Sequence, residues 1–161
     1  GFGALFHALN HSLAKAALFL IAGNILIIYK TKKCESITGI STSHPLTAVL
    51  WAGGTLAILG SPPFGLFSSE LMILKGIVST GQWWVAAGYL ISLIIALSAI
   101  SFKVFKMIFG VSAEPSLRKF ENPWLTIAPA ALILCVLIIG IYLPQPIADL
   151  LASASATIAG K

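Results

Sequence analysis

Three basic side chains, His7, His11 and Lys15, recur at every fourth residue near the start of a strongly apolar stretch. In an α-helix this spacing puts them on one face, each about 6 Å further along the axis. Ionisable groups at membrane depth are costly unless they face protein or water, and they mark paths for ions and protons. Histidine titrates near neutral pH and can both donate and accept protons, which suits a relay. The row therefore predicts a path for protons or ions along one face of a membrane helix.

A second polar site is predicted in the apolar tract 45–80, which is interrupted near its middle. Pro62 and Pro63 lack a backbone N–H and clash with the preceding turn, so a straight helix cannot pass through them. The interruption ends at Gly65 and frees backbone carbonyls that can hold water or a cation. Glu70, the single acid of the tract, follows five residues later, where the start of a half-helix favours negative charge. The pattern predicts a broken helix with Glu70 as the acidic group beside the break.

Three neighbours of Glu70 are accessory candidates. Ser68 and Ser69 add hydroxyl groups beside the break. Lys75 stands five residues after Glu70 and so lies on a different helix face. Two roles stay open for Lys75: a second member of the relay, or a membrane lysine whose charged end reaches outward to the interface.

The composition indicates which elements must position these groups. The chain has 161 residues, of which 58% are hydrophobic and 9% are charged, whereas soluble domains carry roughly 25% charged residues. An all-α integral membrane protein is therefore predicted. Its membrane region, 1–143, has expected helices at about 1–29, 45–80 (broken at 60–65), 83–109 and 123–143. The tail 144–161 has the spacing of a short interfacial or partner-bound helix.

The basic residues decide how often the tract 45–80 crosses the membrane. Its length of about 36 residues is too long for one ordinary crossing and too short for two at about 20 each. A single broken crossing, giving four in all, puts the loops 30–44 and 110–122 on the same face, and these loops are rich in Lys and Arg. Because cytoplasmic loops carry an excess of these residues, both loops are predicted to face the cytoplasm.

Other classes of protein match the sequence poorly. His7 and His11 could belong to a metal or haem site, but His44 lies in a loop and Cys34 and Cys135 lack metal-ligand spacing. A self-contained enzyme is not expected, because no nucleophile–base pair or glycine-rich phosphate loop is present. Nucleic-acid binding is not expected either, because topology accounts for the basic residues. The chain begins without Met and without signal-peptide features, so we expect a piece of a longer protein.

Two motifs resemble those of a known family. The run from Phe6 to Phe19, followed by Ala22 and Gly23, resembles the signature of the antiporter-like proton-pumping subunits. These subunits occur in respiratory complex I, in Mrp-type antiporters and in membrane-bound nickel–iron hydrogenases. The tract from Gly53 to Glu70 is similar to the second broken helix of that family. The amino-acid sequences of both motifs are most similar to those of the hydrogenase-4 component F branch of the family.

The resemblance implies a fold and roles for the polar residues. The family fold has about fourteen helices containing two inverted five-helix repeats, and this chain would supply its C-terminal part. By position, Lys15 corresponds to the buried lysine of the second repeat, and Glu70 to the terminal exchanger toward the outer face. His7 and His11 correspond to the connecting relay residues.

The function implied is proton translocation, as a non-catalytic subunit of a redox-driven complex in a prokaryotic cytoplasmic membrane. The expected complex is a membrane-bound hydrogenase or a complex I-like NADH–quinone oxidoreductase. No cofactor is expected in this chain, and nickel–iron, iron–sulfur or flavin groups would sit in the partner subunits. Two alternatives stay open: a subunit of an Mrp-type antiporter that exchanges sodium for protons, and a non-conducting assembly or anchoring module.

Overall fold

A computed structural model describes residues 1–111 and 121–160, and its regular elements in those ranges are all helical. In chain order they are α1 (Phe2–Tyr29), a short 3₁₀ turn (Cys34–Ser36), α2 (Ile40–Ser43), α3 (Pro45–Ile58), α4 (Gly65–Ser79), α5 (Trp83–Phe109), α6 (Pro123–Ile141) and α7 (Gln145–Ile158). Within the described ranges, α1, α5 and α6 are long and apolar enough to cross a membrane. The predicted all-α membrane architecture is confirmed.

Local chemistry explains where these helices begin and end. α1 ends at Tyr29, and the next residue, Lys30, caps it by adopting a left-handed conformation (φ 54°) while its N–H donates to Leu26 O at 2.9 Å. α3 and α6 both begin with a proline, whose missing N–H costs nothing in a first turn. The Asn122 side chain caps α6 by accepting from Trp124 N at 3.1 Å. α6 ends at Ile141, two residues before the predicted end.

The helices α3 and α4 are the two halves of one interrupted span. They have 14 and 15 residues, so each is about 21–23 Å long and too short to cross a hydrocarbon core of about 30 Å alone. Both halves pack along α1 in a single antiparallel register. Near the start of α1, Gly3 lies against Met72 of α4. Further along α1, Leu18 lies against Gly54 of α3. The residue numbers of the contacted partners fall as the residue numbers along α1 rise. This is the order expected when one broken helix packs antiparallel to α1.

The helix α6 packs on the interrupted span from another side. Gly140 lies directly against the backbone of Pro63, Phe64 and Gly65, where a side chain would have no room. At its other end, α6 is tied to α1 by the side chain of Asn24, which donates to the backbone carbonyl of Leu125 at 2.7 Å. The break is therefore held between α1 and α6: Gly60 and Gly65 at its two ends are buried, whereas Pro62 and Pro63 are exposed.

Two apolar clusters fill the interior of this bundle. One gathers residues of α1, α2, α3, α5 and the segment just before α2 toward one end: Ile21, Ile25, Ile37, Ile40, Ala48, Leu50, Val104, Met107 and Ile108. The other lies beside the break: Ala14, Ala57, Leu66 and Val136. Much of α5 is exposed, and its buried residues lie mainly in its last turns.

The loops predicted to share a face meet at one end of the bundle. Ser41 donates to the carbonyl of Ile108 at 2.8 Å, and Thr38 donates to that of Val111 at 3.0 Å. The carboxylate of Glu121 accepts from the N–H of Leu46 and from that of Thr47, at 2.9 and 2.8 Å, and so caps α3. The parts of the loops 30–44 and 110–122 that the structure describes therefore lie together at this end of the bundle. Most of the loop 110–122, with Arg118 and Lys119, lies outside the described residues, as does the terminal Lys161.

Candidate functional site

The break itself is the irregular backbone between Ile58 and Gly65. The last regular turn of α3 closes when Leu59 N bonds Thr55 O at 3.0 Å. Gly60 then takes a positive φ of 65°, which glycine adopts without strain. The pair Pro62–Pro63, joined by a cis peptide bond, follows before α4 begins at Gly65. The break therefore lies where the two prolines exclude a continuous helix.

Glu70 turns back from α4 toward the end of the other half-helix. Its side chain is half-buried, and both carboxylate oxygens lie against Gly60, where a methyl group would overlap them. Gly60 is two residues past the end of α3, where unpaired backbone carbonyls concentrate partial negative charge. The sequence predicts that Glu70 lies near the positive start of α4, whereas the structure places its carboxylate beside Gly60, beyond the end of α3. A carboxylate in that position can accept a proton or bind a cation.

His7 joins the basic row of α1 to the turn of α4 that carries Glu70. Its Nδ1 lies 3.0 Å from Oγ of Ser69, the residue next to Glu70. Ser69 is fully buried, and its hydroxyl also donates to the carbonyl of Leu66 at 2.8 Å. Because a hydroxyl has one hydrogen, that bond leaves Oγ as the acceptor for an N–H on Nδ1. The Nε2 of a neutral His7 is then free to accept a proton.

His11 and Lys15 continue the row away from the break. The rings of His7 and His11 are stacked with centroids 5.7 Å apart and planes at 25°, a spacing that one water molecule can bridge. Lys15 is exposed on the surface of the described chain. It stands eight residues beyond His7, about 12 Å along the axis. The structure therefore joins His7 to α4 beside Glu70, but it does not bring Lys15 to Glu70.

The buried face of α1 offers no direct path for a proton between Lys15 and Glu70. Ala14, Ala17 and Ile21 are fully buried, and Ala14 packs in the apolar cluster beside the break. Proton transfer needs hydrogen-bonding groups or water, and an apolar, close-packed layer offers neither. Any path from Lys15 to Glu70 must therefore follow the face of α1 that carries the histidines.

The accessory candidates have different environments. Ser69 takes part in the site through His7, whereas Ser68 is half-buried on α4. Lys75 is exposed, more than a turn beyond Glu70 along α4. Within the described part of the chain, no group of three or more His, Cys, Asp or Glu side chains could hold a metal ion.

Sequence reasoning missed a second polar cluster at the opposite end of the bundle. His44, which the sequence placed in a loop without a role, is buried, with its Nδ1 3.0 Å from Oγ of Ser43. The hydroxyl of Tyr29 lies 2.9 Å from the same Oγ. A cavity of about 180 Å³ beside His44 is also lined by Thr47 and Glu121. The contact between Thr47 and Glu121 spans 74 residues, so no local pattern could have revealed it.

Comparison with known proteins identifies the family. A family model described as NADH:quinone oxidoreductase/Mrp antiporter, TM, matches residues 2–98. The chain belongs to this family. The matched range covers α1, both halves of the broken helix and most of α5, so it includes every residue of the site. The resemblance drawn from the two sequence motifs is confirmed.

Individual relatives cover nearly all of this chain. A hydrogenase-4 component F homologue from Methylacidiphilum infernorum (isolate V4) is 32% identical over 148 residues, which are 92% of this chain and 30% of that protein. The NADH-quinone oxidoreductase subunit N of Desulforudis audaxviator (strain MP104C) is 29% identical over 151 residues, with coverages of 87% and 29%. The chain thus spans about three tenths of the length of these relatives.

A solved structure shows the same fold. A chain in the structure of the Mrp complex from Dietzia sp. DQ12-45-1b matches 96% of this chain with a TM-score of 0.81. The match covers 37% of that chain, at 22% sequence identity. The arrangement of α1, the broken helix, α5 and α6 is therefore a family fold, of which this chain forms part.

Proposed function

We propose that this chain is part of the proton-translocating membrane subunit of a multi-subunit complex in a prokaryotic cytoplasmic membrane. The observation that carries the proposal is the hydrogen bond between His7 and Ser69, which connects the basic row of α1 to the turn of α4 that bears Glu70. The names of the two relatives, one a hydrogenase component and one an NADH-quinone oxidoreductase subunit, support a redox-driven complex. We place the redox cofactors of that complex in the partner subunits.

The proposed path runs from Lys15 through His11 and His7 to Glu70. Each step along α1 is one helical turn, and water bridges side chains at such spacings. His7 receives the proton on Nε2, since its Nδ1 is engaged by Ser69. Glu70 then holds the proton beside the break, where its carboxylate lies against Gly60.

The distribution of exposed lysines supports the orientation of the path. Lys30 and Lys33 are exposed just after α1, and Lys103 and Lys106 are exposed in the last turns of α5. The contacts between these two regions put all four lysines at the same end of the bundle. By the positive-inside tendency we assign this end to the cytoplasm. Glu70 then lies on the outer side of Lys15 in the path.

The proposal is tested in sealed vesicles that contain the full-length subunit assembled in its complex. Lys15→Met and Glu70→Gln should each lower the rate of proton translocation about tenfold or more, because each removes a group that must carry the proton. Lys103→Met is the matched control: it removes an exposed membrane lysine outside the path and should leave the rate unchanged. Normal translocation in both path variants would refute the assignment.

The same vesicles separate the two alternative functions. A sodium gradient that drives proton exchange without an electron donor would identify a cation/proton antiporter. An anchoring module predicts a different result: Lys15→Met would weaken assembly of the complex, while translocation per assembled complex stayed normal. Measuring assembled complex and translocation on one preparation distinguishes these outcomes from the proposed one.

A further inference from the structure

Tyr89 lies on the narrow stripe of α5 that faces the rest of the bundle. In the stretch 83–100 of α5, the residues that are not exposed are Val85, Ala86, Tyr89 and Leu93. Their spacing of three to four residues puts them on one helical face, and α5 packs against α4. The two serines of this stretch, Ser92 and Ser98, are exposed and donate to carbonyls of their own helix. Tyr89 is therefore the polar group that α5 brings to this face.

The hairpin of α4 and α5 sets the depth of Tyr89 relative to Glu70. The short turn 80–82 joins the end of α4 at Ser79 to the start of α5 at Trp83. Glu70 is nine residues before the end of α4 and Tyr89 six residues after the start of α5, or about 14 and 9 Å along the two axes. Helix side chains tilt toward the helix N-terminus, which for α5 is the end at the turn. Tyr89 thus lies closer to the outer end than Glu70, and its side chain tilts outward.

The side chains of Tyr89 and Glu70 interact across the two helices. The hydroxyl of Tyr89 interacts electrostatically with the carboxylate of Glu70, and both side chains are half-buried. A phenol hydroxyl both donates and accepts hydrogen bonds, and ordered water bridges polar groups that do not touch. Tyr89 can therefore accept a proton from the side of Glu70 while its own hydrogen leaves toward the outer end.

The open space at the outer end lies over a different face of α4. A cavity of about 340 Å³ between the start of α1 and the end of α4 has Met72, Gly76 and Thr80 in its lining. At about 100° per residue, these three lie within about 60° of Ser69 around α4, whereas Glu70 is about 100° from Ser69. The cavity therefore lies outward of Ser69 rather than of the Glu70 carboxylate.

We propose that Tyr89 is the proton carrier that follows Glu70 on the way to the outer face. The neutral carboxyl of Glu70 releases its proton through water to the phenol oxygen, and the phenol releases its own hydrogen to water at the outer end. The tyrosine is neutral before and after the transfer, and Glu70 is left as a carboxylate that can take the next proton. This inference rests on the proposed function, because it extends the same path by one residue.

Tyr89→Phe tests the proposal by removing the hydroxyl and keeping the ring. In sealed vesicles with the full-length subunit assembled in its complex, it should lower proton translocation per assembled complex about tenfold. Thermal unfolding should be unchanged, because the ring still packs against α4. Tyr142→Phe is the matched control: it removes the hydroxyl of an exposed tyrosine just after α6 and should leave the rate unchanged. A normal rate in Tyr89→Phe would overturn the proposal.

Exchange of H₂O for D₂O separates a lost proton carrier from a disturbed helix contact. If Tyr89 carries the proton, its removal leaves a slow proton-transfer step. The ratio of the translocation rates in H₂O and D₂O should then be larger in Tyr89→Phe than in the unmodified complex. A contact defect lowers the rate without raising this ratio, and that result would contradict the role of Tyr89 as a carrier.

Gly76→Leu tests the outer cavity as the competing exit. A Cβ at Gly76 meets nothing within 4 Å, so the leucine side chain can fill the cavity, and we expect translocation to be unchanged. Loss of translocation in Gly76→Leu with a normal Tyr89→Phe would assign the exit to the cavity and overturn the inference. Glu70→Gln in the same assay separates the two claims. Loss there with a normal Tyr89→Phe overturns this inference alone, whereas normal translocation in both variants overturns the proposed function as well.

Discussion

The close approach of Glu70 to Gly60 allows a substitution to move the carboxylate without breaking the fold. Gly60 has a φ of 65°, and a Cβ at this position would meet both carboxylate oxygens of Glu70. Gly81 has a similar φ of 73°, but a Cβ there would meet nothing within 4 Å. The change Gly60→Ala therefore imposes backbone strain and displaces Glu70, whereas Gly81→Ala imposes the strain alone.

The size of each effect follows from these contacts. A left-handed conformation costs a residue with a Cβ about 1–2 kcal/mol, so both variants should lose stability by about that amount. The overlap in Gly60→Ala adds little to this, because the carboxylate is the end of a flexible side chain and can rotate away. Rotation moves the carboxylate from the end of α3, and we expect translocation to fall about tenfold, an added barrier of about 1.4 kcal/mol.

The assay compares the two variants on the same preparations. Thermal unfolding of the assembled complex measures the strain, and proton uptake into sealed vesicles, per assembled complex, measures the function. We expect similar losses of stability in both variants and a loss of translocation in Gly60→Ala alone. Equal translocation in the two variants would refute the reasoning that the carboxylate must stand at the end of α3.

Three further predictions concern the contacts that hold the site. Glu121→Gln should destabilise the full-length protein by about 1–2 kcal/mol in thermal unfolding, because it removes the charge that caps α3, whereas the exposed Glu35→Gln should have no measurable effect. Gly140→Ala should lower the free energy of unfolding by about 1–3 kcal/mol in the same measurement, because its methyl group meets the backbone of the break. Gly76→Ala is its control: a methyl group there meets nothing within 4 Å, so this change should be neutral or stabilising. Ser69→Ala should slow proton translocation about fivefold in vesicles, because His7 loses the partner that fixes its tautomer, and an unchanged rate would remove Ser69 from the path.

The helical elements and the position of the break could be predicted from local chemistry. Long apolar segments must satisfy their backbone hydrogen bonds within a helix when they cross a membrane, so segment length and composition indicate α1, α5 and α6. Adjacent prolines exclude a continuous helix at one place whatever surrounds them. The spacing of His7, His11 and Lys15 likewise fixes their common face, because the helical repeat is a property of the backbone alone.

The partners of those residues were decided only by the tertiary structure. The bond from His7 to Ser69 joins residues 62 apart, and the cap of α3 by Glu121 joins residues more than 70 apart. The carboxylate of Glu70 shows how far local sequence patterns can predict side-chain position. The local pattern predicts that it lies near the start of α4, but packing places it against Gly60, beyond the end of α3. Side-chain direction depends on which helices meet, and the glycines that permit close approach act on partners distant in sequence. The sequence thus determined which groups can carry a proton, and the packing of α1, α4 and α6 decided which of them stand together.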